Sequence, residues 1–460
     1  MAGIGFRLQK LLKEDSYTGL LKGYLFSAII SSGPMLTSII CIALLGIVSL
    51  PVLSSDDYLL FRSTIVHIFA LSLIFTGMFQ MIVTRYLADR LFLKEPGSLI
   101  PCYVGLLVIT VIGQSVLGSI FFYHVVPQWR YVLVATSLYV TISCLWNTMI
   151  FISATKNYMI IVWGFIIGSL VSFFAGYYLG ERFGLIGYLL GFEIGQFTIF
   201  QFLLASLLRE FDFFKPMDFN FLHYFKKYPE LCALGCAINL GVWIDKFLFW
   251  FSPYGTQIKG FFHNCPLYDT AFFLAYLSIV PALSIFLVQV ETSFYHRYRD
   301  FYALIIRKAS LERIEQAKES IIIDLKASMM ALIKVQGFIS ILMLIGAVNV
   351  INIVKLQWAQ LFIFKIGLLS AFLLIFFQLL IIIMLYFEFR KEALWLTVLF
   401  MAVNIAATLA SIHLGFRSFG YGFFAACFVC LLVGYLIFNR KLDNLEFLTF
   451  ASQPIRKVEI

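Results

Sequence analysis

The chain has 460 residues, 61% hydrophobic and only 13% charged, with a formal net charge of +9. A water-soluble domain carries about a quarter charged residues, so a soluble fold is excluded. The basic excess does not mark a nucleic-acid binder either, because it separates by side of a membrane instead of gathering in a patch.

The first 21 residues, MAGIGFRLQKLLKEDSYTGLL, contain acids and precede an apolar run too long for a signal-peptide core. Phe6, Leu8, Leu11 and Leu12 alternate with Arg7, Lys10 and Lys13, which predicts a short amphipathic leader over 1–21. Twelve apolar stretches follow: 22–49, 61–84, 99–126, 131–153, 158–180, 185–208, 231–252, 267–291, 330–354, 362–386, 394–414 and 419–438. Each is long enough to cross about 30 Å of hydrocarbon as a helix. With that alternation, 25 of the 34 Lys and Arg fall on one side and seven on the other. The positive-inside rule then places both termini in the cytoplasm, and the basic face attracts anionic membrane lipids.

The longest connections on the basic side are 209–230 and 292–329, both too small for a catalytic domain. Tyr302, Ile305, Ile306, Ile314, Ile321 and Leu325 recur at helical spacing among charges, so 292–329 reads as an amphipathic helix. The expected organisation is a leader (1–21), a six-helix bundle (22–208), a linker (209–230), a second six-helix bundle (231–438, carrying 292–329) and a tail (439–460). Spans 2 and 8 share an aromatic-aliphatic run ending in charge, FALSLIFTGMFQMIVTRYLADR and FLAYLSIVPALSIFLVQVETSFYHRY. Halves with an even number of spans repeat in parallel, about an axis along the membrane normal, as in alternating-access transporters.

Charges inside hydrocarbon are costly and are site candidates by default. Glu193 sits mid-span in GFEIGQF, and Asp245 and Lys246 sit mid-span in NLGVWIDKFLFW. Neighbouring helix positions point about 100° apart, so Asp245 and Lys246 are expected not to pair with each other. Glu291 and Arg62, at span ends, are weaker candidates for translocation or coupling, since long side chains there also snorkel. Pro34, in SSGPM, and Pro281 are expected to kink spans 1 and 8 and to serve as gates. Gly164/Gly168, Gly176/Gly180 and Gly187/Gly191/Gly195 place small residues four apart, which predicts close packing of spans 5 and 6. No metal signature, Walker loop or dinucleotide fingerprint appears, so no catalytic residue, cofactor or metal is expected and no nucleotide drives transport directly.

The opening GIGFRLQKLLKEDSYTGLLKGYLFSAIISSGPML, the run NLGVWIDKFLFW and the segment ETSFYHRYRDFY resemble the PelG family, inner-membrane transporters of the Pel exopolysaccharide system. The resemblance spans the chain. It implies an all-α polytopic membrane protein of about 12 transmembrane helices in two six-helix bundles, as in the superfamily of MATE exporters and polysaccharide flippases. It further implies export of a cationic, amino-sugar-rich polymer across the bacterial inner membrane into a biofilm matrix. The implied partners are a cytoplasmic glycosyltransferase, a membrane cyclic-di-GMP receptor and a tetratricopeptide-repeat protein. No family site residues carry over. Residues 22–49 lack the acid that ion-coupled drug exporters of the superfamily often place in span 1. Two other readings stay open: a lipid-linked oligosaccharide flippase, and a non-transporting scaffold for a membrane polysaccharide synthase.

Overall fold

The structure is a computed structural model that describes residues 17–153, 159–211, 217–283 and 294–451. Its N-terminal half contains α1 (Tyr17–Ser49), α2 (Ser55–Phe92), α3 (Leu99–Val125), α4 (Trp129–Ile152) and α5 (Met159–Glu210). A short α6 (His223–Lys227) leads into α7 (Pro229–Trp250), a hairpin of β1 (Thr256–Lys259) and β2 (Phe262–Asn264), and α8 (Pro266–Leu277). Then come α9 (Tyr295–Ile306), α10 (Leu311–Ile345), α11 (Ala347–Val354), α12 (Trp358–Tyr386), α13 (Arg390–Leu414), α14 (Tyr421–Asp443) and α15 (Leu445–Ala451).

Ten helices among the described residues are long and apolar enough to cross a membrane. One of them, the 52-residue α5, is two spans, because the chain reverses at Gly184 (φ 58°, ψ −135°). Only glycine reaches that conformation without steric cost. The two limbs then press together backbone to backbone. A Cβ on Gly191 would collide with the Gly176 backbone, and one on Gly195 with the Gly168 carbonyl. The glycine spacing in the sequence therefore marks this hairpin. α8 begins a further span, whose continuation over 284–293 lies outside the described residues, and the total is about twelve.

The two halves repeat each other's packing. α2 lies on α4 as α8 lies on α12, and α1 lies on the first limb of α5 as α7 lies on α13. The second limb of α5 meets α4 as α14 meets α12. The reversal at Gly184 has its counterpart between α13 and α14, where Gly415 (φ 87°) and Gly420 (φ 92°) turn the chain and Ser411 and Ser418 bond across the turn. This parallel repeat makes two six-helix bundles.

One element differs from the sequence reading. The 292–329 segment is not one helix. α9 ends at Ile306, Lys308 takes a left-handed conformation (φ 55°), and α10 restarts at Leu311 and runs unbroken to Ile345. Folding back lets α9 and α10 bury Phe301 and Ile314, while Arg297 pairs with Asp324 at 3.1 Å across the two helices. Pro34 lies within α1, whose helix continues past it, and the Thr37 hydroxyl donates to the Gly33 carbonyl at 2.9 Å. At Pro281 the helix is interrupted. α8 stops at Leu277, and the Ser278 and Ile279 amides close tight turns onto Ala275 and Tyr276 before helix resumes. A proline has no N–H for the carbonyl four residues earlier, which here is that of Leu277.

The halves meet along α2 and α7. Gly77 and Gly235 touch at their crossing, where a Cβ on either would strike the other's carbonyl oxygen. The same two helices meet again at both ends. His67 faces Trp250 near the hairpin, and Arg85 lies over Tyr228 on the basic face. The halves also touch where Ser32 of α1 donates to the carbonyl of Val280 at 3.2 Å.

Candidate translocation and coupling site

Glu193 projects from the second limb of α5 into the interior of the N-terminal bundle and is 7% exposed. One carboxylate oxygen accepts from two hydroxyls of α4, Ser137 at 2.8 Å and Thr141 at 2.9 Å. These sit one turn apart, so a single face of α4 supplies both. The other oxygen, Oε2, has no hydrogen-bond partner among the described residues, and neither does Nε2 of Gln196, one turn further along the same limb. No described cation lies in an ion pair with Glu193. The site thus buries an unused acceptor and, one turn along, an unused donor, and each unsatisfied buried polar atom costs about 1–3 kcal/mol. Gln114 Oε1, Thr136 Oγ1 and Asn147 Oδ1 are further unpartnered buried atoms in the same bundle.

The acid of the other bundle is arranged differently. Asp245 is fully buried, and the Lys246 ammonium lies 3.0 Å from both of its oxygens. Tyr268 of α8 donates to Asp245 at 2.7 Å. The expectation that Asp245 and Lys246 would not pair is therefore wrong. Their Cβ atoms diverge, but the four-carbon lysine stem folds back far enough for Nζ to reach its neighbour and the Val242 carbonyl, 3.0 Å away. The rings of Tyr276 (5.0 Å), Phe423 (5.1 Å) and Phe272 (5.6 Å) surround the ammonium. Cation–π attraction of this kind grows when the charge is desolvated. Both charges are thus neutralised within the C-terminal bundle, and the pair acts as a pin between α7, α8 and α14.

The remaining candidates do not join these clusters. Arg62 is exposed and lies over the Tyr58 ring at 5.7 Å, one turn back on α2. Glu291 lies outside the described residues. Pro34 is buried within α1, and Pro281 is exposed at the helix interruption.

Two latches that sequence reasoning missed hold the halves together at the ends of the α2–α7 seam. On the basic face, Arg85 of α2 pairs with Glu388 from the turn after α12 and with Asp89 at 3.2 Å. Arg390 reaches Glu388 at 3.1 Å and Glu230 at 3.4 Å. The guanidiniums of Arg390 (4.4 Å) and Arg85 (5.5 Å) both lie over the ring of Tyr228. Nearby, Tyr224 donates to Asp89 at 3.0 Å, and burial together with that bond pushes its hydroxyl up to about 12, so it stays a donor. On the opposite face the β1–β2 hairpin, grown from the C-terminal half, inserts the fully buried Phe262 into a core of the N-terminal half. His67 is held between Phe262 (4.3 Å) and Trp250 (4.5 Å), and its Nδ1 is 2.8 Å from the Ser63 carbonyl. The sequence signals were faint. Gly255 and Gly260 punctuate a polar run, but nothing local says where Phe262 docks.

The two bundles thus meet along the α2–α7 seam, at the Ser32–Val280 contact and at the two latches. The profile of one family, described as PelG, "Putative exopolysaccharide Exporter (EPS-E)", matches residues 1–450. The chain belongs to this family. Solved structures share its fold at low identity. An outward-facing multidrug resistance MATE family transporter of the MOP superfamily aligns with TM-score 0.65 and 13% identity, over 97% of this chain and 99% of that one. A Vibrio cholerae MATE transporter, VcmN, in mutant form aligns with TM-score 0.66 and 12% identity, over 97% and 100%. A MOP superfamily transporter from Pyrococcus furiosus, with a binding pocket of reverse polarity, aligns with TM-score 0.61 and 13% identity, over 97% and 99%. Among curated proteins none matches.

Proposed function

We propose that this exporter-family chain carries the Pel exopolysaccharide, a cationic amino-sugar polymer, across the bacterial inner membrane toward the biofilm matrix. In this reading the basic face is cytoplasmic and receives the chain from a glycosyltransferase. The cyclic-di-GMP receptor and the tetratricopeptide-repeat partner assemble beside it, and the α9–α10 hairpin offers the docking surface. The observation that carries the reading is the α2–α7 seam with one separable latch at each face. Breaking one latch at a time exposes the space between the bundles to one side at a time, which is the requirement for alternating access.

Glu193 is the coupling group in this scheme. Among the described residues Glu193 is a buried membrane acid in no ion pair, whereas Asp245 is neutralised by Lys246. Taking up a proton in one state and losing it in the other biases the two packings of the N-terminal bundle. Asp245 and Lys246 serve structure.

The test is to locate newly made polymer in cells carrying E193Q, with partner assembly verified in parallel. Polymer held in the cytoplasm, or stalled synthesis with assembly intact, supports the reading. Normal secretion removes Glu193 from the mechanism. If the purified chain flips undecaprenyl-linked sugars without the glycosyltransferase, the lipid-linked oligosaccharide flippase replaces it.

A further inference from the structure

We propose that the elbow between α14 and α15, on the basic face, is a binding site for one anionic phospholipid, with Arg440 holding the headgroup phosphate. The site depends on the chain's place in a membrane and not on what the chain exports.

The end of α14 builds the site. Phe428, Leu432, Tyr435 and Leu436 form an exposed apolar stripe along that helix, which hydrocarbon covers. The apolar run closes at Phe438, and the exposed Arg440 follows one turn beyond Leu436, at the edge of the same stripe. Arg440 thus stands where acyl chains give way to headgroups. At Asn444 the chain turns into α15, which is held on its inner side by the buried Leu445 and by the pair of Glu446 with Lys318 of α10 at 2.8 Å. Phe447, 72% exposed, and Phe450 are left on its outer side. Between the two helices lies an open groove of about 500 Å³, lined by Ile437, Arg440, Lys441, Asn444, Phe447 and Leu448.

The lining selects an anion that carries a tail. Asp443 and Glu446, close in sequence, do not line the groove. Lys441 is already paired, 2.6 Å from Glu392 of α13. Arg440 has no acceptor and no ion pair among the described residues, so its guanidinium keeps its five N–H groups for a ligand. Capping of α14 does not need it: the Asn444 amide donates to the Arg440 carbonyl at 3.0 Å, and Lys318 donates to the Asp443 carbonyl at 2.8 Å. A phosphate diester suits a guanidinium, which meets two of its oxygens at once. Ile437, Phe447 and Leu448 give the first methylenes of an acyl chain an apolar wall. A free phosphate would leave that wall uncovered, and a zwitterionic lipid would bring its own cation to a rim that is already cationic.

The test is native mass spectrometry of the full chain, purified in detergent, with phosphatidylglycerol or phosphatidylcholine of the same acyl chains added. One phosphatidylglycerol is expected to stay bound as detergent is stripped away, and phosphatidylcholine is not. R440A should cut the bound fraction about tenfold, the loss of one charge-assisted contact. R440K should restore only part of it, because an ammonium lacks the two-pronged geometry. Melting temperature should not move in either variant, since Arg440 is exposed and bonds no described side chain. R209A removes an exposed cation at the end of α5 on the same basic face and should bind like the wild type. An equal loss in R209A means diffuse attraction to the whole face and overturns the site. So does equal retention of the two lipids, or binding that survives R440A. Displacement of the lipid by inorganic phosphate, but not by chloride at the same ionic strength, gives the groove a free anion in place of a lipid and overturns the proposal as well.

Discussion

Phe262 and His67 belong to different halves of the chain, yet their rings stack at 4.3 Å in the core of the N-terminal half. A hairpin of seven strand residues thereby fastens one bundle to the other. Truncating a fully buried phenylalanine costs about 3–5 kcal/mol when the site cannot collapse. Here that cost falls on the latched state alone, because the bundles themselves remain packed. F262A should therefore shift the population toward the state open on the hairpin face. Spin labels at Gln257 and Asp57 check this: a single short distance in the wild type should gain a longer component in F262A. An unchanged distance distribution would mean that the hairpin follows the seam instead of holding it.

The basic-face latch makes a different prediction, because backbone strain and ion pairing meet at one residue. Glu388 has a left-handed backbone (φ 62°), which costs a non-glycine residue about 1–2 kcal/mol. The ion pairs with Arg85 and Arg390 offset it. E388G relieves the strain and deletes the pairs together, so thermal stability should change little while the basic face opens. E388Q keeps the strain and weakens the pairs, so it should be the less stable variant. Melting curves of the two proteins, with cysteine accessibility at Cys232 as the report on opening, separate these effects.

How much of this was legible in the sequence follows from the range over which each interaction acts. Hydropathy runs and the glycine spacing of α5 are local, and they mark the spans and the Gly184 reversal directly. The parallel repeat follows from an even number of spans per half. The Asp245–Lys246 pair was misread because helical direction fixes only Cβ, whereas a lysine Nζ can swing several ångströms around its stem. The Glu193 hydroxyls lie 56 and 52 positions away, and the partner of Arg85 lies 303 positions away. No periodicity in one strand of sequence encodes such pairings. A single helix over 292–329 was the natural reading of its period, and only the left-handed Lys308 reveals the fold-back.

The buried ion pair predicts non-additive mutations. Removing one partner of a buried pair costs about 3–5 kcal/mol because the other charge is stranded. D245N leaves the Lys246 ammonium inside three rings with only neutral acceptors, and K246M leaves the Asp245 carboxylate with Tyr268 alone. Both single variants should unfold at much lower temperature. The double variant D245N/K246M, with no charge to strand, should recover most of the loss, and export should return with it. If D245N alone melts like the wild type, the pair is not sealed from water and the structural assignment fails.

Glu193 predicts the opposite pattern, a loss of function without a loss of fold. Glutamine keeps an acceptor oxygen for the Ser137 and Thr141 hydroxyls, so E193Q should stay within about 1 kcal/mol of wild-type stability. E193A removes that acceptor from the buried Thr141 hydroxyl, at about 1–3 kcal/mol, and from the half-buried Ser137 hydroxyl at less, and should melt lower. The triple variant S137A/T141A/E193A removes donors and acceptor together and should regain part of the loss. Export should nevertheless be absent from all three, because none holds an ionisable group at position 193. Melting temperature and secreted polymer, measured on the same variants, therefore separate packing from coupling. If export tracks melting temperature across the series, Glu193 is a structural acid. If export is lost throughout while stability falls and returns, it is the group whose charge the transport cycle uses.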